Sequence, residues 1–251
     1  MDCEITIYLH GVPGSPAELA LARTAAPGWF VPDRNEPALG TSLDDRLAEL
    51  ARRIGALHPD AKLHLVGFSL GAMIALRLAP LLGARVSRID LISAAAPLEG
   101  GDFLPDMAGR AVFGLARRAP GLFALLARAQ SCLARIAPRW LTRQLFATAQ
   151  GEDLALARSE AFVDGIAAIL RGGLGRSSLG YRAEIAGYVQ PWADRLAQVS
   201  APVTLWQGSA DNWTPPEMAE YLAQRLPNVV AVHRLEGRSH YSALGAALAR
   251  L

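Results

Sequence analysis

With 251 residues, the chain is long enough for one sizeable α/β domain or for one core carrying an inserted subdomain. Its 25 Lys and Arg against 23 Asp and Glu are spread along the chain, so no basic stripe for nucleic acid is present. Cys3 and Cys132 are far apart and lack metal-ligand spacing, and arginines interrupt the most apolar stretch, around Gly114 to Leu141. A disulfide framework, a metal site and a membrane span are therefore set aside, and reduced thiols in a cytoplasmic protein are expected.

Glu4 to Leu9 is a β-rich run that predicts the first strand. Asp2 and Glu4 stand where a signal peptide would be basic, so the amino terminus reads as that strand. It leads into His10-Gly11-Val12-Pro13-Gly14-Ser15, a glycine-proline-glycine corner whose N–H groups can face a ligand. Trp29-Phe30-Val31 predicts a short second strand, closed by Pro32-Asp33. Thr41 and Ser42 then cap a helix with Asp44 and Asp45 in its first turn and Leu43, Leu47, Leu50, Ile54 and Leu57 as one apolar stripe. His58 reads as a solvent-side helix end, and His64 as a strand residue packed beside the sheet.

Leu63-His64-Leu65-Val66 has the short apolar pattern of a covered strand, while Leu70, Met73, Ile74 and Leu78 recur at helical spacing. Between them lies Gly67-Phe68-Ser69-Leu70-Gly71. A serine on so sharp a strand-to-helix turn has a strained backbone, which explains glycines at −2 and +2, and it sits where helix N–H groups can stabilise an anion. Val86 to Ser93 is a further strand, so strands alternate with helices and predict parallel βαβ units. From Leu98 to Val189 only helical patterns appear, separated by Pro120, Pro138, Gly151 and a loose loop from Gly172 to Ser178. Pro120 suits a first helical position, with Leu122, Leu125, Leu126, Leu133 and Ile136 as the expected buried side. Pro202 to Trp206 resumes the strand pattern and enters Gly208-Ser209-Ala210-Asp211. A helix through Leu226, a strand from Val229 to Leu235, a loop carrying His240 and a closing helix complete the chain.

A nucleophilic serine needs a base to take its proton and a carboxylate to orient that base. Ser69, Asp211 and His240 each follow a predicted strand, at the carboxyl ends where ligands bind in open α/β sheets. Glu99 and Asp102 are alternative positions for the acid. The G-x-S-x-G at Gly67 to Gly71 resembles the nucleophile elbow of the α/β-hydrolase family, whose acid and histidine follow in the order found here. HGVPGS resembles that family's HG-x-P-G oxyanion loop, and the likeness extends over nearly the whole chain. One departure is that no counterpart of the family's amino-terminal antiparallel hairpin precedes the first strand.

The resemblance implies a reduced, mostly parallel sheet of about six strands flanked by helices, with residues 1–97 and 190–251 as core and 98–189 as an inserted helical cap. It implies an acyl-enzyme mechanism in which Ser69 attacks a carbonyl, His240 shuttles the proton, Asp211 orients His240, and the N–H groups of Val12 and Leu70 bind the oxyanion. No cofactor or metal is called for. The expected substrate is a small apolar acyl compound, an ester, lactone or thioester. Phe68, Trp213, Trp140 and Phe146 are candidate substrate contacts. An acyltransferase, a C–C bond hydrolase and a non-catalytic small-molecule-binding relative remain the alternatives, and the oligomeric state is open. His10 and Ser15 are expected to shape the oxyanion loop rather than to react.

Overall fold

Strands covered on both faces read as near-continuous apolar runs, and the sheet explains why these do. In the computed structural model, which describes residues 4–21, 28–175 and 178–251, five parallel strands form one sheet in sequence order. They are β1 (Glu4–Leu9), β2 (Lys62–Phe68), β3 (Val86–Ile92), β4 (Val203–Gly208) and β5 (Val229–Leu235). Every residue of interior strand β2 after Lys62 is buried, whereas edge strand β5 alternates between half-buried and exposed positions up to its buried last residue, Leu235. Helices α1 (Leu43–Leu57) and α2 (Leu70–Leu82) flank β2 in sequence. Six more stand between β3 and β4: α3 (Arg110–Arg118), α4 (Pro120–Ile136), α5 (Pro138–Leu145), α6 (Asp153–Arg158), α7 (Glu160–Leu174) and α8 (Leu179–Tyr188). α9 (Pro216–Arg225) follows β4, and α10 (His240–Leu248) follows β5.

Two apolar clusters result from the alternation of side chains across the sheet. Ile7, Leu9, Leu63, Leu65 and Leu205 face a large cluster with α1, α2 and α9. Tyr8, Val66, Phe68, Ile92 and Trp206 pack with α10 on the other side. No helix among the described residues is long and apolar enough to cross a membrane.

The expected strand at 29–31 is reduced to one bridge. Phe30 N donates to Thr6 O and Tyr8 N to Phe30 O, both at 2.9 Å, and the parallel pairing stops there. Pro32 has no N–H with which to extend a ladder. From β1 the chain thus passes outward to Phe30 and returns through α1 to β2 on the opposite side of β1. The carboxyl ends of β1 and β2 consequently flank a topological switch point, where open α/β sheets hold ligands.

Three further expectations change. Leu122, Leu125 and Ile136 are 60%, 63% and 74% exposed, and the buried side of α4 is Phe123, Ala127 and Ala134. α4 carries apolar residues on two faces, and the smaller one turns inward because alanines let α7 and α8 approach closely. Leu57, at the end of the α1 stripe, is likewise exposed. Gly172 and Gly173 belong to α7 rather than to a loop: a Cβ at Gly173 would lie 2.3 Å from Gly14 O, so glycine lets α7 close over the loop after β1. Arg176 and Ser177 of that expected loop, like Cys3, lie outside the described residues.

Candidate active site

Ser69 stands between β2 and α2 with φ 57° and ψ −125°, in the left-handed region that a non-glycine residue occupies only under strain. Its neighbours explain how the turn survives. A Cβ on Gly67 would come within 2.7 Å of Ala72 Cα, and one on Gly71 within 2.0 Å of Leu9 O. Glycines at both places let α2 start against the end of β1. Ser69 N donates to Ile92 O at 3.0 Å, while Ser69 O accepts from Ala72 N and Ala95 N, so the backbone is locked and the side chain is left to face the cavity.

His240 is the first residue of α10 rather than part of a loop. Its position is set by Ser242 Oγ, which accepts from Ser239 N at 2.8 Å, and by buried Asp153 of α6, which accepts from Tyr241 N at 2.9 Å and Ser242 N at 2.7 Å. His240 Nδ1 donates to Asp211 Oδ2 at 2.9 Å, with Oδ1 at 3.1 Å. Both side chains are almost fully buried. Asp211 also accepts from Trp213 N at 2.8 Å and from Thr214 N at 3.0 Å. Burial alone would push its carboxyl up, but His240 and then the Thr214 backbone N–H outweigh that and hold it below the ordinary value. With Nδ1–H given to Asp211, Nε2 is the basic nitrogen left on the ring.

Glu99 does not compete for this role. Its Oε1 accepts from Trp192 N at 2.6 Å and Ala193 N at 2.7 Å, which ties down a distant turn, and the partner of His240 is Asp211. Ser69 and His240 share a narrow cleft with Phe68, Trp213 and Phe146. Among the described residues no hydrogen bond closes the last link between Ser69 Oγ and His240; such links are often long before substrate binds and tighten in the complex.

The loop after β1 is held by the side chains of His10 and Arg34. His10 Nδ1 donates to Gly11 O at 2.8 Å. Burial, with Arg34 adding to it, keeps that imidazole neutral by lowering its pKa well below the usual value. Carbonyl and N–H of one planar peptide point oppositely, so this bond turns the Val12 N–H away from His10. Arg34 Nη2 donates to His10 O at 2.9 Å and is itself fixed by a buried, two-pronged pair with Glu184 of α8. Val12, Leu70 and Ser69 then border a cavity of about 230 Å³ whose other walls include Phe113, Leu141 and Tyr181 from the helices between β3 and β4.

Of the expected contacts, Phe68 packs on the His240 ring at 4.6 Å, Trp213 stacks on it at 5.7 Å, and Phe146 packs against Trp213. Trp140 does not belong with them: it is 53% exposed and borders neither cavity, because α5 turns neighbouring Leu141 inward. Thr214, Asp153, Arg34, Glu184 and Glu18 were not anticipated. Only Glu18, a lone carboxylate in the otherwise apolar PAELAL, stood out locally. His58 caps the end of α1, and His64 pairs with Asp90 at 2.7 Å within the sheet, both away from this site.

The sequence model described as alpha/beta hydrolase fold matches residues 7–247. No curated protein matches the chain by sequence. Among solved structures, a hydrolase from Pseudomonas aeruginosa superposes with a TM-score of 0.68 at 17% identity, covering 99% of this chain and 87% of the other. A bromoperoxidase from Bacillus anthracis gives 0.67 at 16% identity, covering 100% and 91%. An esterase from Exiguobacterium antarcticum gives 0.65 at 18%, covering 99% and 91%. At these identities the likeness speaks for the fold alone.

Proposed function

Because the chain belongs to the α/β-hydrolase fold family, we propose that it is a serine hydrolase that cleaves a carboxyl ester or related acyl compound through an acyl-enzyme on Ser69. The observation that carries this reading is the buried Asp211–His240 pair opening into the same cleft as a serine held at positive φ on a helix N-terminus. Ser69 Oγ attacks the acyl carbon as His240 Nε2 takes its proton. The negative charge that develops on the carbonyl oxygen falls to the N–H groups of Val12 and Leu70. Collapse expels the alcohol or thiol, which takes the proton from His240. Water then attacks the ester on Ser69 by the same route and frees the acid. Apart from the substrate and that water, each step uses groups of the chain itself.

Residues 98–189 are read as a cap whose inner wall receives the acyl group. Phe113, Leu141 and Tyr181 line a largely apolar cavity of about 230 Å³, which suits an acyl chain of moderate length. A series of p-nitrophenyl esters should show a maximum at intermediate chain length. Leu141→Ala should move that maximum towards longer chains, by roughly ten- to two-hundred-fold in relative kcat/KM. Trp140→Ala, one position away but facing solvent, should leave it in place. Equal scaling of all substrates by Leu141→Ala would remove specificity from the cap. A wild-type protein that turns over no ester, lactone or thioester would refute the hydrolase reading.

A further inference from the structure

Glu18 lies in the short turn Pro16–Leu21 just after the candidate oxyanion loop, fully buried, and the reaction as described makes no use of it. Its carboxylate faces back beneath the loop. Oε2 accepts from Gly11 N at 2.7 Å and from Tyr8 Oη at 3.0 Å, and Oε1 lies 3.1 Å from the same N–H. A Cβ at Gly11 would come within 3.2 Å of Oε1, so a glycine there gives the carboxylate its approach.

Two successive peptide planes are thereby fixed. The His10–Gly11 peptide is held at its carbonyl by Arg34 and at its N–H by Glu18. The Gly11–Val12 peptide is held at its carbonyl by the His10 ring, and its N–H is the one assigned to the oxyanion. We propose that Glu18 is a positioning residue: by holding the Gly11 N–H, its carboxylate sets the plane from which the Val12 N–H reaches the developing oxyanion. This rests on the hydrolase reading above.

Charge decides how well Glu18 does this, since an ionised carboxylate accepts an N–H much more strongly than a neutral acid. The groups facing it are Tyr8 on β1, Arg34, and His240 and Tyr241 at the start of α10. Tyr8 and Tyr241 are kept neutral by burial, which raises them, and His10 is neutral as described. α7 packs over the same turn, with Gly165 against Leu21 and Gly172 against Ser15, and neither glycine titrates. Burial raises the Glu18 carboxyl to about 7 against the opposing pull of Gly11 N–H, Tyr8, Arg34 and His240. As pH falls through that value Glu18 gains a proton and its hold on the loop weakens. The rate then depends on the charge of Glu18 in addition to the need for a neutral histidine base, so two protons enter the acid limb.

The test is the pH profile of kcat and kcat/KM for a short p-nitrophenyl ester, measured on the full chain and on folded Glu18→Gln and Tyr8→Phe variants. Wild type should show an acid limb of log kcat/KM steeper than one decade per pH unit. Glu18→Gln should lower kcat by about 10- to 100-fold, with KM within about twofold, and leave a limb of single-proton slope. Tyr8→Phe removes one donor to the carboxylate and should displace the acid limb to higher pH. Should Glu18→Gln not fold, the displacement in Tyr8→Phe alone decides. Wild-type slope and position in both variants would overturn the assignment and leave the hydrolase reading standing, as would a lower kcat in Glu18→Gln with an unchanged slope. A wild-type protein without any acyl-transfer activity would sink both.

Discussion

Replacing Ser69 by alanine is expected to lower kcat by about 10⁶-fold, and replacing Asp211 by asparagine by about 10⁴-fold, with folded structure retained in both. The first removes the oxygen that forms the acyl-enzyme. The second keeps the shape of the side chain, but an amide beside His240 Nδ1 no longer holds the tautomer that leaves Nε2 basic, nor does it stabilise the imidazolium. Because the residues act as one unit, Ser69→Ala combined with Asp211→Asn should cost no more than Ser69→Ala alone. Additive losses, measured by single-turnover kinetics on a chromogenic ester, would mean that Asp211 and Ser69 do not serve the same step.

The other large effect is on stability. Gly71→Ala should destabilise the fold by at least about 3 kcal/mol, because its methyl group would lie 2.0 Å from Leu9 O and 2.5 Å from His10 O. Those atoms are backbone at the end of β1, so relief requires moving the strand, the loop or α2, and each movement shifts the elbow against the oxyanion loop. Gly114→Ala in α3 is the matched control, since an added Cβ there meets nothing within 4 Å. It should be neutral or stabilise by up to about 1 kcal/mol, as alanine favours a helix. Urea unfolding of the two variants checks this; similar midpoints would show that β1 and α2 do not meet as closely as described.

What the sequence reveals about this site is what local chemistry encodes. The elbow is readable because strand, glycine-flanked turn and helix fall within Leu63 to Leu78; Gly67 answers a contact inside that unit, with Ala72, whereas Gly71 answers one with Leu9 of β1 that the local pattern does not show. Asp211 and His240 are readable only as residues that each follow a strand, a weaker cue that gains force from the parallel order of the sheet. The supports are different. Arg34 and Glu184 are separated by 150 positions and meet only once α8 packs against α1 and the loop. No pattern in Pro16 to Leu21 announces that Glu18 turns back under Gly11. Periodicity finds α4 but not its inward side, since both of its faces are apolar, and composition alone, which suggests Trp140 as a substrate contact, carries no helix phase, which puts Leu141 at the cavity instead. The same limit applies to Phe30: its β-rich neighbourhood is evident, yet the proline that follows leaves room for a single bridge.

The most direct test of the central claim is treatment of the folded protein with a fluorophosphonate, followed by peptide mass spectrometry. Only a serine activated by a neighbouring base reacts readily with such a reagent. The account predicts one adduct per chain, on the peptide containing Ser69, lost in Ser69→Ala and strongly slowed in His240→Ala. An adduct on a different serine, or none in wild-type protein, would contradict it.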